Sequence, residues 1–185
     1  MPSTIPTISR VTQVALYVAT FATGLFTGLL WTFMVSVDRA EETLNASDYA
    51  AWRQELIVAT DRGIWPVLLL SALAPLVVLV ALRRHRRSGV FRWVLVGFVV
   101  WILFVNVYTV VLNVPINNEM MTWDPANPPA DWADARDRWD LLNTIRTPFA
   151  FFVFLAYLRA MQLMGRAETA AKAPVAKEAA AGAAA

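Results

Sequence analysis

The chain has 185 residues, 58% of them hydrophobic, and a net charge of only +2; its mean hydropathy is +0.49. Soluble domains are closer to half apolar, so an ordinary soluble fold is excluded. Cysteine is absent and the one histidine, His85, sits in "RRHRR", which excludes disulfides, thiolate centres, cysteine nucleophiles and, unless a partner supplies ligands, a histidine-built haem or metal site.

The apolar residues gather in four runs, each near the about 20 residues a helix needs to cross a hydrocarbon core of roughly 30 Å. The predicted fold is all-α: a four-helix transmembrane bundle with short amphipathic helical segments on its outer face. Residues 1–10 form an arm, and the membrane domain covers 11–164 with spans at 11–37, 64–82, 91–114 and 147–164. The first run is too long for a signal-peptide core and offers no cleavage site, so it is expected to be retained. It carries Thr20, Gly24 and Gly28 at four-residue spacing, which would let a neighbouring helix approach closely. In the polar segment after it, Ser47 or Asp48 caps a short helix bearing Tyr49, Trp52, Leu56 and Val58. Trp65 anchors the second span at the interface, and the turn "RRHRRSG" leads to the third. In the second polar segment Asp131 caps a helix that runs into the fourth span, with a kink predicted at Pro148. The Ala-rich tail, 165–185, has nothing to bury and is predicted disordered, or frayed helix at best.

Charge orients the chain. The arm, the basic turn and the tail hold ten cationic residues against two acids, and the opposite side holds six arginines and twelve acids. The positive-inside rule places both termini in the cytoplasm of a plasma (inner) membrane. The basic turn reads as a lipid-headgroup anchor, so the bilayer is the expected partner and nucleic acid is not.

The polar residues of the third and fourth spans form a constellation. Asn106, Asn113 and Asn117 are spaced seven and four apart, on one helical face, and Asn118 follows. Trp132, Arg136, Trp139, Asn143 and Arg146 make a stripe on the helix entering span four. Antiparallel helices would bring both groups to one depth near the outer face. Either they satisfy one another and pin the helices together, or they line a ligand cavity.

Three stretches carry a resemblance: "TGLFTGLLWTFMVSV", "NVPINN" and "RDRWDLLNTIRT". In this order they resemble the anthrone oxygenase-like family of small four-helix membrane proteins, most bacterial members of which have no known function. Its V-P-x-N-N and W-N-x-V-R-T patterns fall on Pro115, Asn117, Asn118, Trp139, Asn143 and Arg146. Many members have histidine after the second asparagine, where this chain has Thr144, and many have proline shortly after the S-V of helix one, where this chain has Asp38 and Arg39. The resemblance implies a cofactor-independent oxygenase, with no metal, acting with O2 on a lipophilic anthrone-like or phenolic substrate. Arg146, Asn117 and Asn143 would be catalytic as donors to an enolate oxygen. Asn113, Asn118, Trp139 and Asn106 would bind substrate. The base would be Glu119 or Asp140, unless the substrate arrives ionised. The alternative is a non-catalytic membrane assembly partner, homo-oligomer or small-molecule binder.

Overall fold

A computed structural model describes residues 9–183, for 172 and 174–183 the backbone alone. Among these residues four long helices follow one another: α1 spans Arg10–Glu41, α2 Ala46–Ala81, α3 Gly89–Met120 and α4 Trp132–Ala183. Each holds a stretch long and apolar enough to cross a bilayer. The chain is a multi-pass helical membrane protein, as its four apolar runs predict.

At the end of the bundle that holds the α1–α2 and α3–α4 connections, the helices outrun the apolar spans. Asn45, rather than Ser47 or Asp48, caps α2, its side chain accepting from the Asp48 amide at 3.0 Å. The amphipathic segment expected as a separate piece is therefore the opening of α2, continuous through Gly63 and Pro66. A proline removes one helical donor, and neighbouring helices in a bundle hold the chain through such a break. α4 also runs on through Ala183, where disorder or frayed helix is expected; alanine is the best helix former. Residues 1–8 of the arm and 184–185 of the tail lie outside the described residues.

Lipid gives helices no hydrophobic reason to associate, so small residues and close packing decide. α1 packs along α2 and α4, and α3 lies on α4. The buried stripe of α1 is Leu16, Ala19, Thr23, Phe26 and Leu30, a three-and-four repeat that turns one face inward. The hydroxyls of Thr20, Thr23 and Thr27 donate to carbonyls of their own helix, so burying them strands no donor. A Cβ added at Gly24 would lie 2.9 Å from the Phe154 ring of α4, whereas Gly28 has nothing within 4 Å. Of the two glycines, only Gly24 serves close approach.

α3 is irregular. Residues 101–107 and 109–113 wind as π-helix, and so do 33–37 of α1. Pro115 cannot donate from the second position of the regular segment that follows. The wider turns precede it, with the Asn106 amide donating to the Trp101 carbonyl at 3.0 Å. Such turns are rare and gather at functional sites. α2 meets α3 chiefly at its two regular ends, 89–100 and 114–120, and the π-helical middle stands away from it. At the upper contact Gln54 donates to the carbonyls of Met120 and Trp123, both at 2.9 Å.

Candidate functional site

The separation of α2 from the middle of α3 opens a cavity of about 400 Å³, within the about 300–1,000 Å³ usual for small-molecule sites. Phe26, Leu30 and Phe33 of α1 and Val105 of α3 form its inner wall. At its mouth stand Trp65 and Leu69 of α2 and Val110 of α3, exposed by 62%, 56% and 64%. These residues belong to the surface that meets acyl chains, so the cavity opens sideways toward lipid.

Polar groups gather at one end. Arg146, 5% exposed, reaches in from α4. Its Nη1 donates to Thr109 Oγ1 at 2.6 Å and its Nη2 to Asn143 Oδ1 at 3.0 Å. Asn143 is one turn away on the same helix and fully buried, so it braces the guanidinium and does not itself line the cavity. Asn113 and Asn117 do line it. Neither end of the Asn113 amide, nor Asn117 Oδ1, has a hydrogen-bond partner among the described residues. The guanidinium is thus held by Thr109 and Asn143 and leaves the α3 amides to the cavity. Asn106 lines it too, with its nitrogen tied to the Trp101 carbonyl. Asn118, expected beside them, is exposed and outside the cavity.

Trp139 forms part of the wall. Its ring lies 5.5 Å from that of Phe33, and the Arg53 guanidinium sits 3.7 Å from its centroid. Arg53 pairs with Glu41 at 3.1 Å, the two side chains 1% and 0% exposed, and Trp52 donates to the same carboxylate at 3.1 Å. Removing one partner from such a buried pair costs about 3–5 kcal/mol. Asp38, Glu41 and Asp140 bring carboxylate oxygens within 4.8 Å of one another, a spacing that a divalent cation accepts, but Glu41 is already engaged by Arg53. Sequence periodicity gives no hint of this group, because Asp38 and Glu41 come from the end of α1 and Asp140 from α4, about a hundred residues further on.

Neither expected base reaches the cavity. Glu119 is exposed and pairs with Arg138 at 3.4 Å, and Asp140 belongs to the acidic group behind Trp139. Thr144 is exposed and does not line the cavity, so a histidine at that position of α4 would not have served it in this chain. The carboxylate that does line it is Asp61 of α2, beside Thr60. Both stand at the end of the polar segment before span two, past the short helix that the sequence predicts there.

Fold and site together define a small polytopic membrane protein with a lipid-side cavity that ends in a buried arginine and free amides. The family model for anthrone oxygenase matches residues 55–156, more than half of the chain. The chain therefore belongs to the anthrone oxygenase family. The match takes in the cavity walls from α2, α3 and α4, while the glycine-rich stretch of α1 lies outside it. No curated protein and no solved structure matches the chain.

Proposed function

We propose that the protein is an oxygenase for a lipophilic anthrone-like or phenolic compound that reaches the cavity from the bilayer. The observation that carries this reading is one apolar chamber open to lipid, ending in a buried guanidinium flanked by unpaired amides. When an anthrone methylene loses a proton, the charge spreads to the carbonyl oxygen across the central ring. Arg146 and the amides of Asn117 and Asn113 are the donors for that oxygen, in a medium where fixed donors act strongly. Asn143 acts through Arg146, holding its planar fork. Trp139 supplies an aromatic face for the rings.

The enolate is the reductant and O2 the oxidant. The former methylene carbon bonds to oxygen, and the resulting hydroperoxide loses water to leave a second carbonyl. One atom of O2 stays in the product and the other leaves as water with both methylene hydrogens, so the scheme needs no resident cofactor. The charge distribution supports an inner-membrane orientation with both termini cytoplasmic and the polar end of the cavity near the opposite face.

Oxygen uptake by proteoliposomes supplied with an anthrone or a hydroquinone tests the reading. Wild type should exceed empty vesicles, and Asn117→Ala should lose on the order of 100-fold in turnover, the usual effect of removing one oxyanion donor. Folded wild-type protein that binds such compounds without consuming oxygen would make the chain a small-molecule binder instead.

A further inference from the structure

We infer that Asp61 is the proton acceptor of this site, an assignment that rests on the oxygenase reading above. Asp61 is the carboxylate among the residues lining the main cavity, and Arg146 is the cation among them. Asp61 also lines a smaller cavity of about 50 Å³ next to Arg53 and Trp139. No hydrogen bond or ion pair engages it among the described residues, whereas Glu41 is held by Arg53 and Glu119 by Arg138.

Its position suits the chemistry. Asp61 stands on α2 and Arg146 on α4, so the two approach the cavity from different walls. Gln54 fixes the level of α2 at Met120, and Arg146 is fixed at the level of Thr109. Asp61 on α2 and Asn113 on α3 each lie seven residues from the Gln54–Met120 contact, so Asp61 and the α3 amides line different walls of the cavity at about the same depth. In an anthrone the carbonyl and the methylene lie on opposite sides of the central ring. A donor to the first and a base for the second must therefore come from different directions, as these two residues do. Asp61 is also exposed and precedes the second apolar span at 64–82, so the captured proton need not cross the hydrocarbon to reach water.

In the step assigned to it, the methylene C–H bond breaks. Its electron pair moves into the ring system and onto the carbonyl oxygen held by Arg146. The proton forms an O–H bond with an Asp61 carboxylate oxygen and passes on to water. No electron leaves the substrate until O2 arrives, so the step can be followed without oxygen.

The experiment is anaerobic deuterium exchange into the methylene of an anthrone, in proteoliposomes in D2O, followed by mass spectrometry. Quenching of protein tryptophan fluorescence gives Kd in parallel, because Trp65 and Trp139 line the cavity. Wild type should exchange faster than empty vesicles. Asp61→Asn and Asp61→Ser should bind with Kd within about twofold of wild type and lose on the order of 100-fold in exchange, the lower end of what a positioned base contributes. Asp61→Glu should keep measurable exchange. Wild-type exchange rates in folded Asp61→Asn would overturn the assignment and leave the oxygenase reading standing. So would a change in Kd with saturated exchange intact, which marks a residue that only shapes the cavity. If wild type shows neither exchange nor oxygen uptake, the oxygenase reading fails and the assignment falls with it.

Discussion

Asn113 is 1% exposed, and neither end of its amide meets a partner among the described residues. An amide buried in that state costs about 1–3 kcal/mol, so serving packing alone would be a poor use of it. Arg146 is in the opposite position, because two of its nitrogens are committed to Thr109 and Asn143. The two residues should therefore respond in opposite ways to the same replacement. Asn113→Leu removes an unmet amide at a cavity wall with room for a larger side chain, and should raise the thermal stability of detergent-solubilised protein while weakening aromatic ligand binding. Arg146→Leu strands the partners of its guanidinium and should lower stability by about 1–3 kcal/mol for each group left unpaired. Thermal unfolding of the two variants beside wild type checks both signs; unchanged stability in Arg146→Leu would show that its contacts do not hold the helices.

Among the elements, α3 decides whether a cavity exists. Its regular first half packs closely on α4: a Cβ at Gly97 would come 2.6 Å from the Tyr157 ring, and Tyr157 is fully buried. A rigid buried ring has nowhere to swing, so the helices themselves would have to part. Gly97→Ala should then cost about 1–3 kcal/mol, the usual range for overpacking. Gly28→Ala, with open space around its Cβ position, should leave stability unchanged or slightly raised. Beyond Val100 the same helix loosens into π turns and leaves α2. The close contact at Gly97 fixes one end of α3 and the Gln54 bonds fix the other, so the irregular middle can bow outward without unzipping the bundle.

On the scale of the whole molecule, the proposed orientation puts the α2–α3 turn and the α3–α4 connection on opposite sides of the membrane. The chain has no cysteine, so introduced thiols can be read without background. Ser88 is a poor probe because it is buried and caps α3, accepting from the Phe91 amide at 3.2 Å. Arg87 and Asn127 are exposed. In intact cells a membrane-impermeant maleimide should label Asn127→Cys and spare Arg87→Cys until the membrane is opened. Labelling of both before lysis would reject the orientation.

Four apolar runs of spanning length and the order of the "NVPINN" and "RDRWDLLNTIRT" stretches were enough to determine the four-helix membrane fold and the family. Periodicity also brought Trp139, Asn143 and Arg146 onto one stripe and Asn106, Asn113 and Asn117 onto one face, because both patterns are properties of a single helix. Which of these residues bond each other and which face a void depends on how far apart helices stand, and that is set by packing between segments distant in the chain. Only the tertiary structure shows Asn143 behind Arg146, Asn118 outside the cavity and Asn113 without a partner among the described residues. The same reason hides Asp61. It stands at the end of the polar segment before span two, and it becomes a cavity residue because α2 starts at Ala46 and carries it to the depth of the α3 amides.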